Sequence, residues 1–90
     1  MLNYIAEFLG TFFFLSIILR IGEAIPIAVG LLAAIYFGGS ISGGHFNPAV
    51  SVMMYLNDAL PLMELPLYII AQVFGGVIAL QLQKFVKDLN

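Results

Sequence analysis

Ser42-Gly43-Gly44-His45-Phe46-Asn47-Pro48-Ala49-Val50-Ser51 lies at the centre of a 90-residue chain and decides how that chain folds. Asn47 is a favoured helix N-cap, and Pro48 suits the first helical position, where its missing N–H would find no helical partner anyway. A helix therefore starts at Asn47, and apolar residues carry it to Leu56. Ten residues rise about 15 Å, half the thickness of a bilayer's hydrocarbon core. A helix of that length behind a glycine-rich loop reads as a re-entrant half-helix. Such backbone survives in lipid only where it lines a cavity or is buried in protein. Its positive dipole end then points at mid-membrane.

The flanking segments supply the membrane. The chain is 62% hydrophobic and 9% charged, too little polar surface to coat a soluble globule of this size. Leu2 to Leu19 runs apolar with one charge, Glu7, and nearly matches the hydrocarbon thickness. Arg20, Gly22 and Glu23 form a turn, and a second span covers 24–39, with Pro26 tolerated in its first turn. The Gly38–Gly44 stretch is expected to complete that crossing as irregular backbone. A third span covers 66–85, interrupted by the uncharged Gln72, Gln81 and Gln83, with Lys84, Lys87 and Asp88 at the water boundary of its end. The fold class is thus an all-α membrane protein with three transmembrane helices and one half-helix, over 47–56. No basic residue precedes the first span, so it reads as structure rather than a cleaved leader, and Met1 and the charged C-terminal end read as natural limits. Small residues recur every fourth position on each span (Ala6 and Gly10; Gly30, Ala34 and Gly38; Ala71, Gly75 and Ala79), a pattern that lets membrane helices approach closely.

Several chemistries are excluded. Cysteine is absent and His45 is the sole histidine, so metal sites, thiol catalysis and redox cofactors have no ligands, and no cofactor is expected. His45 reads as a loop-fixing hydrogen-bonding group. Ser40 and Ser42 lack both a nucleophile-elbow spacing and a carboxylate near His45 in sequence, so an enzyme is not expected. The net charge of −2 is scattered, which gives nucleic acid nothing to bind. What remains is transport. An asparagine at a helix N-terminus inside the membrane offers N–H donors to a water oxygen, while the dipole repels cations. The carbonyls of Gly43, Gly44, His45 and Phe46 would form the polar strip that replaces a solute's lost hydration. Glu7 and Gln72, polar groups inside spans, must find partners in the bundle.

The central stretch closely resembles the first-repeat signature of the major intrinsic proteins, the aquaporins and glycerol facilitators. Ala6-Glu7-Phe8-Leu9-Gly10-Thr11 resembles that family's first helix, and Tyr68-Ile69-Ile70-Ala71-Gln72-Val73-Phe74-Gly75-Gly76 its third. The resemblance implies one half-repeat over 1–90, with Asn47, Pro48 and Ala49 at the pore, Glu7 and Gln72 bracing the loop, and Ile27 at the selectivity constriction. It also implies an integral, multi-pass channel for water or small uncharged solutes such as glycerol. Family members carry two inverted repeats, whereas this stretch has one, and Val50 stands where the second repeat's filter arginine would follow its motif. Two antiparallel copies, and possibly a tetramer of such pores, would complete the family pattern. The alternative is a non-conducting or regulatory subunit that pairs with another aquaporin-like chain. Arg20, Lys84 and Lys87 are expected at one face and Asp58 and Glu64 at the other, and the positive-inside rule would then favour one orientation.

Overall fold

The computed structural model describes residues 1–89 and contains four helices in the order α1 (Leu2–Arg20), α2 (Ala24–Ser42), α3 (Pro48–Leu56) and α4 (Leu65–Leu89). Three of them are long and apolar enough to cross a membrane. At about 1.5 Å per residue, α1 and α2 span the hydrocarbon core, α4 overshoots it into the polar zone of Lys84 and Lys87, and α3 crosses less than half of it. The chain thus has the expected all-α architecture of an integral, multi-pass membrane protein, three membrane-length helices and one half-helix among the described residues.

α1 is the central element. It packs α2 on one side and α4 on the other, and α3 lies against α4. Hydrogen bonds pair Glu7 with Gln72 near one end and Leu19 with Gln83 near the other, so α1 and α4 run in the same direction. The small-residue faces sit at the seams. Gly75 meets the backbone of α1, where an added Cβ would lie 2.8 Å from the Phe8 carbonyl oxygen and 3.1 Å from the Phe12 nitrogen. Gly30 makes room for the Ile17 side chain, and Gly10 and Gly38 receive the ring of Phe46.

The interior is polar and the exterior apolar. The largest fully buried side chains are Gln72, Glu7, Thr11 and Ser51, while Ile25, Val29, Leu32 and Tyr36 form an exposed stripe along α2. That stripe follows a spacing of three and four residues and is left uncovered by the other described helices.

The second span departs from the sequence expectation. Gly38, Gly39, Ser40, Ile41 and Ser42 are helical, and irregular backbone begins only at Gly43. Gly43 adopts φ +91° and returns its N–H to the Gly39 carbonyl at 2.8 Å, an αL cap that closes the helix. The break is made by the second glycine pair because positive φ is needed there, at Gly43 and at Gly44 (φ +67°). The first pair stays helical and provides a smooth face: Gly38 contacts Phe46. The third span also runs further than expected, from Leu65 through Leu89.

Candidate functional site: a half-helix held by a buried polar knot

The loop between α2 and α3 cannot satisfy its own backbone, and α1 does so for it. Glu7 has no exposed surface. Its Oε2 accepts from the Ser42 hydroxyl at 2.6 Å and the His45 N–H at 3.1 Å, and its Oε1 from the Phe46 N–H at 2.8 Å and the Gln72 amide at 2.9 Å. All four contacts are donors, so the site is built for a carboxylate with its lone pairs filled rather than for a protonated acid. No cation lies within ion-pair distance among the described residues. Charge-assisted hydrogen bonds replace the counter-ion that a buried charge would otherwise need.

A second ring ties the loop to α3 and α4. The Gln72 amide gives its other N–H to Ser51 Oγ at 2.8 Å, and Ser51 Oγ meets His45 Nδ1 at 2.8 Å. Because Ser51 already accepts from Gln72, its own proton is free for His45 Nδ1. Reversing the Gln72 amide would press its oxygen against the Glu7 carboxylate, which fixes the orientation. Tyr68 donates to the Ser42 carbonyl at 2.7 Å and satisfies the end of α2, and its ring centre lies 5.0 Å from that of His45. Phe46 sits at φ +52°, a strained value for a non-glycine residue, and its ring is 2% exposed between α1 and α2. Burial of the ring and the bond from its N–H to Glu7 offset that strain.

The knot delivers Asn47 to the start of α3. Its φ is −162°, and its Oδ1 accepts the Ala49 N–H at 2.8 Å, with Pro48 next in line. Its amide N–H donors have no partner among the described residues. Asn47, Pro48 and Ala49 are exposed, although every neighbouring group of the knot is buried. Asn47 and Pro48 line an open groove of about 620 Å³ with Phe14 and Leu15 of α1 and Gly76 and Val77 of α4. No described donor bonds the carbonyls of Gly43, Gly44, His45 or Phe46. Bare donors and acceptors therefore stand together at the positive end of a helix, inside an apolar bundle.

The structure thus brings together Glu7, Gln72, the Gly43–Phe46 loop and the Asn47-Pro48-Ala49 cap. Ile27 stands apart, half-buried on α2 and outside the groove residues, about 23 Å along the helix from its Ser42 end. Sequence reading passed over Ser51 and Tyr68 as hydrogen-bonding partners. Both carried a signal: Ser51 is one turn after Asn47, and Tyr68 one turn before Gln72, on the same helix faces. Asn3 and Tyr4 bond Glu64 at 2.8 and 3.4 Å, which seats the α3–α4 loop on the start of α1.

Comparison with known proteins follows the same lines. The model of the family described as "Major intrinsic protein" matches residues 1–89. The glycerol uptake facilitator protein-like 6 of Lactiplantibacillus plantarum is 41% identical over 88 residues, covering 88% of this chain and 41% of the relative. An aquaporin of Laccaria bicolor is 49% identical over 65 residues, 72% of this chain and 22% of its own. Aquaporin Z of Photorhabdus laumondii is 41% identical over 59 residues, 66% of this chain and 26% of its own. No solved structure matches. The chain spans less than half the length of these relatives.

Proposed function

The chain belongs to the major intrinsic protein family, and from that premise we propose that it supplies one half of a transmembrane pore for water and small uncharged solutes such as glycerol. The observation that carries this reading is the bare cap of α3. Asn47, Pro48 and Ala49 are exposed at the start of a half-helix whose supporting groups are all buried. Unsatisfied donors and acceptors are costly in lipid and natural in a wet path. A water oxygen accepts from the Asn47 amide while the carbonyls from Gly43 to Phe46 take its hydrogens. The dipole of α3 repels a proton or cation at the same point. Ile27, outside that groove in the single chain, is assigned to the constriction of the completed pore, where an aliphatic residue admits a neutral solute without demanding a polar one.

One half encloses nothing. An inverted second half-helix must face Asn47, and an antiparallel copy of this chain provides it in the simplest arrangement. A second reading rests on charge. The Gln83 contact with the Leu19 carbonyl places Arg20, Lys84 and Lys87 at one end of the bundle. A bias of that kind inserts copies one way, and the inverted half then comes from another aquaporin-like chain.

Stopped-flow shrinkage of proteoliposomes containing this chain alone tests the reading, with empty liposomes and Asn47→Leu alongside. Fast shrinkage with a low activation energy, lost in Asn47→Leu, supports a pore made of copies. Shrinkage no faster than in empty liposomes, with folded protein inserted, rejects the homomeric pore. Recovery on co-reconstitution with a full-length relative's second half would then support the second reading.

A further inference from the structure

Gln72 and Ser51 do more than tie the loop to α4, because together they decide which nitrogen of His45 carries its proton. The Gln72 amide is oriented by Glu7, so the group that reaches Ser51 Oγ at 2.8 Å is a donor. Ser51 is fully buried, and the other partner of its hydroxyl is His45 Nδ1, also at 2.8 Å. Were Nδ1 protonated, the Ser51 oxygen would accept from both sides and its own buried proton would have no acceptor among the described residues. With Nδ1 bare, that proton is satisfied. The ring proton then sits on Nε2.

Nε2 differs from every other polar atom of the knot. The buried side-chain atoms without a partner are Thr11 Oγ1, Ser16 Oγ and Gln72 Oε1, whereas Nε2 is unpartnered but reaches the surface, through the 8% of His45 that stays exposed. It opens beside Gly43, which is exposed. A Cβ at Gly43 would lie 3.2 Å from Nε2, so the glycine that closes α2 at φ +91° also leaves this nitrogen uncovered. Neither Gly43 nor His45 lines the groove at Asn47. The Nε2–H is therefore a donor separate from the asparagine amide.

We propose that His45 is a hydrogen-bond donor station on the loop, held as its Nε2–H tautomer by the chain of bonds from Glu7 through Gln72 and Ser51, and offering that N–H to a water or alcohol oxygen. Glu7 thus positions a ring that it does not itself bond. Use of the donor by a permeating solute rests on the channel reading above; the tautomer and its exposure do not.

The sole histidine makes the test direct. The whole chain, carrying isotopically labelled histidine, is placed in lipid nanodiscs in alkaline buffer, and the two ring nitrogens are observed by NMR. In the wild-type chain, one-bond proton coupling is seen at Nε2 alone, Nδ1 takes the downfield shift of a bare imidazole nitrogen, and the Nε2 proton exchanges with bulk water. Gln72→Met removes both amide donors at similar side-chain length and frees Ser51 to accept from the ring, so the two nitrogens move toward the averaged shifts of mixed tautomers. Ser51→Ala moves them the same way. The proposal is overturned by a proton on Nδ1 in the folded wild-type chain, by an Nε2 proton closed to water, or by a folded variant that keeps the pure Nε2–H form. If neither variant folds, the wild-type spectrum decides. A wild-type chain that shows the Nε2–H form yet shrinks liposomes no faster than empty ones would remove the channel reading and leave the tautomer standing.

Discussion

The two seams of α1 are built in opposite ways. Against α4, α1 places Glu7 beside Gln72 and brings its backbone up to Gly75. Directional bonds there set the register to a single value. Against α2, contact is made by side chains in glycine notches: Ile17 at Gly30, and the Phe46 ring between Gly10 and Gly38. An apolar groove of about 390 Å³ also runs along that seam, lined by residues such as Leu9, Phe13, Ala33 and Ile41. Lipid offers no hydrophobic drive, so apolar packing holds the second seam by contact alone while hydrogen bonds specify the first. The half-helix is attached to the specified seam, which is where positional accuracy is needed.

Breaking the knot should have the largest effect. Glu7→Gln keeps the shape but replaces one carboxylate oxygen by an NH2, so either the Ser42 and His45 pair or the Phe46 and Gln72 pair of donors faces another donor instead of an acceptor, and the charge that strengthened all four bonds is lost. We expect a loss of about 3–5 kcal/mol, seen as failure to recover folded protein or as a collapsed unfolding midpoint in detergent. A Glu7→Gln chain as stable as wild type would contradict the role given to the carboxylate.

The glycines sharpen the contrast between seams. Gly75→Ala drives a Cβ into the α1 backbone, which has no rotamer to escape with, and should cost about 1–3 kcal/mol. Gly30→Ala meets only the far end of Ile17, which can turn aside, and should cost well under that. Unfolding curves of the two variants decide the matter, and a reversed order would mean that the α1–α2 seam is the rigid one.

Tyr68→Phe removes the hydroxyl bonded to the Ser42 carbonyl and should cost about 1 kcal/mol in the same assay. Gln83→Ala sits at the bottom of the scale. Its bond to the Leu19 carbonyl is 3.5 Å long and exposed, and its loss should move stability by less than about 0.5 kcal/mol. A larger effect would show that the end of the seam near Arg20 carries more of the register than its geometry suggests.

What the sequence discloses follows the range of the interactions. The start of α3 is legible because capping is local: Asn47 and Pro48 carry it within two residues. The three long helices are legible from hydropathy and length. The end of α2 is not, because four glycines and two serines between Gly38 and Gly44 give no local reason to prefer one pair as the break. That choice depends on Phe46, whose ring needs Gly38 to stay helical. Glu7 and Gln72 stand out as polar residues in apolar runs, and resemblance pairs them with the loop. Their individual bonds, 38 and 39 residues apart from Glu7 to the His45 and Phe46 N–H groups, depend on helix register and are not readable in advance. Thr11 looks ordinary in sequence and shows its unpaired hydroxyl only once α4 is packed beside it.

The central claim is that the bare cap of α3 faces water at mid-membrane, and cysteine accessibility measures this directly. The chain contains no cysteine, so background labelling is absent. Asn47→Cys and Leu32→Cys are reconstituted separately in liposomes and treated with a small membrane-impermeant thiol reagent; Leu32 is 67% exposed on the apolar stripe of α2, within a membrane-length span. The account predicts rapid modification at position 47 and almost none at position 32. Equal, slow labelling at both positions in folded protein would place the cap against lipid or protein and contradict the account.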